Sequence, residues 1–384
     1  MTQEINKHAT SCVVENSTNL SRRRAILAGG ATLTGAAALT APAISKSAPI
    51  IIRMATSWPV GLGGLADSAA RVAQEITTIS DGRLQVELHP AGELIPALEV
   101  HDAAGAGDID MYHSAEYYFQ AKHRGMNFFT TVPLGLTSIE QASWIKHGGG
   151  QALWDELNAG FGVKAMVTGG TGVQMGGWFN EEITSKEDFK GLKMRMPGLG
   201  AQVISELGAN AVVLPADGIV EALFEGTIDA TEWIGPYNDL HFGFQKLLST
   251  YIYPGFHEPG TTASLGLNLD FWNNLSDVDK ALITAVTDAE MTSLTADYYG
   301  NNGLALFQLK NEAGVKPTRL PEDVWNELAR VSFEITSSVA DDDDMGRRIV
   351  ESYDAFRTLM GNAGPISQAD YLAKRGATNL YAEV

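Results

Sequence analysis

Apolar and polar positions along the chain switch repeatedly between a period of two and a helical period. Ile50-Ile-Ile-Arg-Met-Ala-Thr-Ser57 is a β-branched run and predicts a buried strand. Leu65 to Ser80 carries its apolar residues at helical spacing. Asp81-Gly82 then turns the chain into Arg83-Leu-Gln-Val-Glu-Leu-His89, which alternates as a strand does. Leu98 to Gly107 predicts a short helix and Ile109-Asp-Met-Tyr-His-Ser114 a strand. The order β-α-β-α-β predicts a parallel sheet flanked by helices.

The pattern recurs further on. Val163–Thr168 predicts a strand ending in Gly169-Gly-Thr-Gly172, and Val173–Phe179 continues as extended chain. Gly191-Leu-Lys-Met-Arg195-Met-Pro-Gly198 predicts a strand cut off by Pro-Gly, because proline cannot continue the ladder and glycine permits a sharp turn. A helix over 200–207, a strand over 211–214, a helix over 217–225 and a strand over 227–233 follow, the last closed by Gly235-Pro236. This is an α/β chain of two lobes with a cleft between them. From Ser276 the pattern turns to long helices: one to about Glu312, ended by Gly314 and Pro317, and one from Pro321. A third follows Asp341–Asp344. That acidic run fails the calcium-loop pattern, which would place Met345 and Ser352 at ligand positions, so it reads as a helix N-terminus. These late helices exceed what two lobes require.

Length and charge sharpen the picture. The 384 residues are too many for one ordinary core, and 27 basic against 46 acidic residues give a net charge of −19. Nucleic acid and anionic membrane are poor partners for such a chain. Residues 1–43 read as an address rather than as fold. Ser21-Arg-Arg-Arg-Ala-Ile-Leu27, a weakly apolar run and Ala41-Pro-Ala43 make a twin-arginine signal peptide with its cleavage site. The single cysteine, Cys12, leaves with it, so the remaining chain has neither disulfide nor thiol nucleophile. A free periplasmic protein is expected.

The strand ending in Arg195 carries the first candidate chemistry. Ligands of open α/β sheets sit beyond the carboxyl ends of strands, and a guanidinium offers a planar fork of donors that matches a carboxylate. Arg195 is therefore expected to anchor a small organic anion. Gly170-Thr-Gly-Val-Gln-Met-Gly176 has the wrong spacing for a dinucleotide loop, no HExxH or GxSxG is present, and the eight histidines show no metal-ligand spacing.

The layout resembles the solute receptors of tripartite ATP-independent periplasmic (TRAP) transporters, a type II-like, two-lobed periplasmic binding fold with long C-terminal helices. The resemblance rests on Phe189-Lys-Gly-Leu-Lys-Met-Arg195, on Leu214-Pro-Ala-Asp217 through Gly226-Thr-Ile-Asp229, and on Glu232-Trp233 with Tyr253-Pro-Gly-Phe-His-Glu-Pro-Gly260. The last group resembles the subgroup that binds 2-oxo acids and related monocarboxylates beside a metal ion. The family often has glutamate where Asp217 stands, which loosens the alignment there. The resemblance implies lobe I over 44–170 and about 259–275, lobe II over 171–258, and a helical segment over 276–384 that serves dimerisation. It implies that Arg195 holds the substrate carboxylate and that Gln174 contacts substrate and cation. Glu232 would ligate the metal by its side chain and Trp233 by its backbone carbonyl, and Glu258 would meet the oxo or hydroxyl end. Tyr117 or Tyr118 would close the pocket. Such oxygen ligands suit Na⁺ or Ca²⁺ and disfavour zinc. The implied function is an extracytoplasmic receptor for a 2-oxo or 2-hydroxy acid such as pyruvate or lactate. It would be homodimeric and would deliver its cargo to a TRAP permease. The rival is an exported metal-dependent enzyme acting on a small carboxylate.

Overall fold

The chain divides into residues 1–46 and 47–384, and the computed structural model describes residues 48–378. The expected twin-arginine segment, 1–43, lies outside the described residues. Two five-stranded sheets organise the second unit. The first contains β1 (Ile50–Thr56), β2 (Leu84–His89), β3 (Met111–Ser114), β4 (Val163–Gly170) and β10 (Thr262–Asn268), in the order β2-β1-β3-β10-β4. The second contains β5 (Gly177–Phe179), β6 (Lys193–Arg195), β7 (Asn210–Val212), β8 (Ala230–Thr231) and β9 (Thr250–Ile252), in the order β7-β6-β8-β5-β9.

The parallel arrangement expected from the β-α-β-α-β order holds for those three strands, β1, β2 and β3, and each sheet also takes in antiparallel strands. β1 pairs in parallel with β2 and β3, and β6 with β7 and β8, as the helical crossovers between them require. β10 is antiparallel to both β3 and β4, and β5 is antiparallel to β8 and β9. Neither is reached through a crossover helix on its own sheet. Each arrives directly from the other sheet, along residues 171–176 or 253–261, and so enters from the opposite end.

The helices cover these sheets. In the first half they are α1 (Leu65–Ile79), α2 (Val100–Ala106), α3 (Ser138–His147) and α4 (Gly150–Ala159). The second half has α5 (Gly198–Glu206), α6 (Ala216–Phe224) and α7 (Pro236–Phe242). After the short α8 (Leu269–Asn274), Ser276 caps α9 (Asp277–Asn311) by accepting from the amide of Asp279 at 3.2 Å. At about 1.5 Å per residue this helix is roughly 50 Å long, and it touches both halves. Glu290 takes Arg71 of α1 at 2.6 Å, while Tyr298 donates its hydroxyl hydrogen to Asn238 of α7 at 2.9 Å.

The late helices are not surplus to the fold, contrary to the sequence-based expectation. α10 (Glu322–Ser337) buries Val324, Leu328 and Val331 against the second sheet's core. α11 (Asp344–Ala363) buries Ile349, Val350 and Tyr353 in the first, where the Tyr353 hydroxyl accepts from the Leu136 amide at 2.7 Å. Its acidic start acts as a cap: Asp343 accepts from the Gly346 amide at 2.7 Å, and Asp342 pairs with Arg124 at 2.9 Å. Of the helices from α9 onward, among the described residues, α12 (Gln368–Ala377) alone buries nothing. Among the described residues no helix is long and apolar enough to cross a membrane.

Candidate functional site

Pro197 and Gly198 end β6 where expected, and the side chain of Arg195 is completely buried. Two segments hold the guanidinium, one at Leu214 and one at Glu232-Trp233. Nε donates to the carbonyl of Leu214 at 3.2 Å, at the turn that precedes α6. Nη1 donates to the carbonyl of Glu232 at 3.1 Å and to that residue's carboxylate Oε1. The Trp233 ring lies against the guanidinium, with its centroid 4.7 Å from Cζ. Nη2 has no protein partner although it is buried.

The sequence reading did not foresee this direct pairing of Arg195 with Glu232. Residues 232 and 233 follow β8, which lies beside β6, so the strand pairing itself sets the glutamate next to the arginine.

Two connecting segments bring in the remaining groups. Residues 171–176 and 253–261 run side by side between the sheets. The Gln174 amide donates to the Glu258 carbonyl at 3.1 Å, and the Gly255 amide to the Gln174 carbonyl at 2.8 Å. Through its side chain, Gln174 Nε2 donates to Glu258 Oε2 at 2.9 Å and to Thr261 Oγ1 at 2.6 Å, while Thr261 also hydrogen-bonds that carboxylate. Gln174 Oε1 and Glu258 Oε1 are buried without partners. The structure thus gathers Arg195, Glu232, Trp233, Gln174 and Glu258 into one buried cluster.

His257 is the residue that sequence reasoning missed. Its Nε2 lies 3.2 Å from Glu232 Oε2, and Nδ1 is buried without a partner. Ligand atoms of Glu232, His257 and Glu258 all lie within 4.8 Å of one another. Spacing along the chain could not reveal a residue that strand pairing brings to Glu232 from 25 positions away. The available signal was its place beside Glu258 in the Tyr253–Gly260 motif.

Tyr117 and Tyr118 come from a 3-10 turn over Glu116–Phe119. Tyr117 is buried and Tyr118 partly so, and their ring centroids are 4.6 Å apart. The turn is fixed from behind by the Glu116 carboxylate. That group accepts from Tyr112 Oη at 2.7 Å, Ser264 Oγ at 2.9 Å, Asn158 Nδ2 at 3.1 Å and Trp154 Nε1 at 3.3 Å. In front, Tyr117 lies over Gly198 at the start of α5.

The electrostatics are those of a crowded, dry site. Burial opposes the charge on Arg195, but Glu232 and the weaker influence of the tyrosines and Glu258 outweigh it, and its pKa is raised. Burial likewise opposes protonation of His257, yet the hydrogen bond and charge of Glu232 raise its pKa. Burial first, then repulsion by Glu232, pushes Glu258 up to about 7. The Tyr117 hydroxyl is pushed up by burial and then by Glu258. The oxygens that could take a cation are those of Glu232, Glu258 and Gln174, two of them orphaned. This donor set fits a hard ion, while the His257 Nε2 is already turned to Glu232.

Residues 65–339 match the profile of the family described as bacterial extracellular solute-binding protein, family 7. A monocarboxylate 2-oxoacid-binding periplasmic protein of Nostoc sp. is 39% identical over 320 residues, covering 83% of this chain and 87% of that protein. A TRAP periplasmic solute-binding protein from Pseudoalteromonas atlantica T6c, crystallised with bound sodium and pyruvate, superposes with a TM-score of 0.82. It is 32% identical, over 85% of this chain and 99% of that one. A TRAP transporter solute-binding protein from Bordetella bronchiseptica RB50 gives a TM-score of 0.85 at 30% identity, over 87% of this chain and 99% of that one. It is a mixed-occupancy dimer, with copurified calcium and picolinate in one active site and the other site apo.

Proposed function

The chain belongs to the bacterial extracellular solute-binding protein family 7, and from that premise we propose that it is an extracytoplasmic TRAP receptor for a small monocarboxylate, a 2-oxo or 2-hydroxy acid such as pyruvate or lactate, bound together with sodium or calcium. The observation that carries this reading is the fully buried Arg195, whose Nη2 has no protein partner, in one cluster with Gln174 and Glu258, which each keep a buried oxygen without a partner. Buried donors and acceptors without partners are costly unless a ligand completes them.

In this reading Arg195 takes the substrate carboxylate. Glu258 and Gln174 face its 2-oxygen end, with Gln174 also reaching the cation. Glu232 would hold the cation through its side chain and Trp233 through its backbone carbonyl. A cation supplies the positive charge that lets an anion settle beside two glutamates. Tyr117, with Tyr118 beside it, covers the site from the other lobe. Lobe I comprises 44–170 with about 259–275, and lobe II 171–258. The protein binds and releases its cargo without chemistry and hands it to a TRAP permease.

The twin-arginine segment would carry the folded chain to the periplasm. α12 exposes Tyr371 and Leu372 and buries nothing, which suits a homodimer made through the end of the 276–384 segment.

Calorimetric titration with pyruvate and lactate, with and without chelator, tests the reading. Saturable, cation-assisted binding without product formation is expected, and Arg195→Ala abolishes it. Turnover of either acid, or near wild-type affinity in that variant, would overturn it.

A further inference from the structure

The carboxylate of Glu232 belongs to two arrangements at once. It is a member of the Glu232–His257–Glu258 cluster, and it is the partner of Arg195 Nη1. Nε of the same guanidinium is committed to Leu214, so of its three nitrogens only Nη2 is without a protein partner. A two-pronged grip on a carboxylate takes two nitrogens.

We infer that Glu232 is an internal competitor for the anion, holding Arg195 Nη1 in the cation-free protein and releasing it when its carboxylate turns to a cation. This rests on the reading above, that the cluster takes a monocarboxylate with a hard cation. Both partners of the ion pair are fully buried, so water cannot take over the guanidinium or the carboxylate when they separate. An incoming anion must therefore displace Glu232 from the guanidinium, leaving it only the His257 ring, or share one guanidinium with it against like-charge repulsion. Turning Glu232 toward a cation removes both penalties. Glu258 is not placed to do the same, because its Oε2 is held by Gln174 and Thr261 and the Arg195 fork does not reach it. Cation and anion affinities are then linked, each raising the other by the same factor.

The test uses pyruvate as its tetramethylammonium salt, so that no sodium enters with the anion. It is titrated into the wild-type chain and into Glu232→Gln, first in EGTA and then with calcium or sodium added. In wild type the cation should raise anion affinity by about tenfold or more, the usual size of a coupling between sites. In Glu232→Gln the cation-free affinity should exceed the wild-type cation-free value by several-fold, and the cation effect should shrink to about twofold. Equal or weaker cation-free binding in the variant would make Glu232 a cation ligand only and overturn the competitor role. A second measurement needs no variant: calcium alone should shift the side-chain ¹⁵N resonances of the buried arginine, and an unmoved signal would overturn the inference. Cation-independent pyruvate binding by wild type would sink the competitor role alone. Absence of any pyruvate or lactate binding would sink the receptor reading and this role with it.

Discussion

The ring of Tyr117 lies so close over Gly198 that a Cβ on the glycine would meet Tyr117 Cδ2 at 2.7 Å. The contact joins the first sheet's half to the helix start that follows Arg195, and Gly198 has φ +62°, a conformation that side chains with a Cβ adopt at a cost of about 1–2 kcal/mol. Neighbouring bonds cross the same seam, from Gln202 Nε2 to Gln120 Oε1 at 3.4 Å and from the Leu134 amide to the Phe256 carbonyl at 2.9 Å. Gly198→Ala is expected to hold the halves apart and weaken pyruvate binding by roughly tenfold or more, with only a modest fall in melting temperature. Calorimetry alongside thermal melting checks this; a lower melting point with unchanged affinity would remove the contact from closure.

Arg195→Lys keeps the charge and removes the fork. One ammonium cannot serve the Leu214 carbonyl, Glu232 and a ligand in the directions the guanidinium does. Affinity for 2-oxo acids should fall by about two orders of magnitude, read by titration calorimetry. A variant within a few-fold of wild type would show that charge alone, not geometry, selects the anion.

Asp239 supplies a pH prediction. Its Oδ2 accepts from Tyr251 Oη at 2.7 Å and Trp178 Nε1 at 3.0 Å, and burial pushes its pKa up from 3.8 to about 7 against those two bonds. The folded state therefore holds a proton that the unfolded chain gives up near pH 4. Stability from this group is full below that pH and is lost as pH rises through about 7, by as much as about 4 kcal/mol. Asp239→Asn keeps the acceptor and removes the titration. Its melting temperature relative to wild type should be higher at pH 8 than at pH 5, and a pH-independent difference would contradict the assignment.

The two ends of the helical tail should behave differently. Tyr353→Phe leaves the buried Leu136 amide without its acceptor and should cost about 1–3 kcal/mol in chemical denaturation. Ending the chain after Ile366 removes α12, which buries nothing, together with the residues beyond it, so melting should be unchanged while light scattering reports loss of the proposed dimer. A dimer that survives would move the interface elsewhere.

Local signals made Arg195 readable: a strand of three residues, a proline, a glycine. Glu232 and Trp233 were readable for the same reason, standing before Gly235-Pro236. β10 went unread although Ala263, Leu265 and Leu267 alternate with Thr262, Ser264 and Gly266; the burial of its second face, lined by these small residues, depends on partners that arrive from far along the chain. Its Gly266 makes room for Tyr112, where a Cβ would come within 2.0 Å of the ring, a long-range fact with no local trace. α3 could have been found from Thr137-Ser-Ile-Glu140, a capping box that does form. The grip of Arg195 on Glu232, and the arrival of His257, depend on which strands lie side by side. Periodicity is silent about that.

Gln174 and Glu258 stand on the two strands of chain that pass between the sheets, bonded to each other across that narrow bridge. On the reading proposed above, the residues that meet the cargo stand on the same backbone that links the two sheets. A substitution there that altered the proposed cargo contact would then also alter the link itself, so selectivity and the joining of the two halves would drift together.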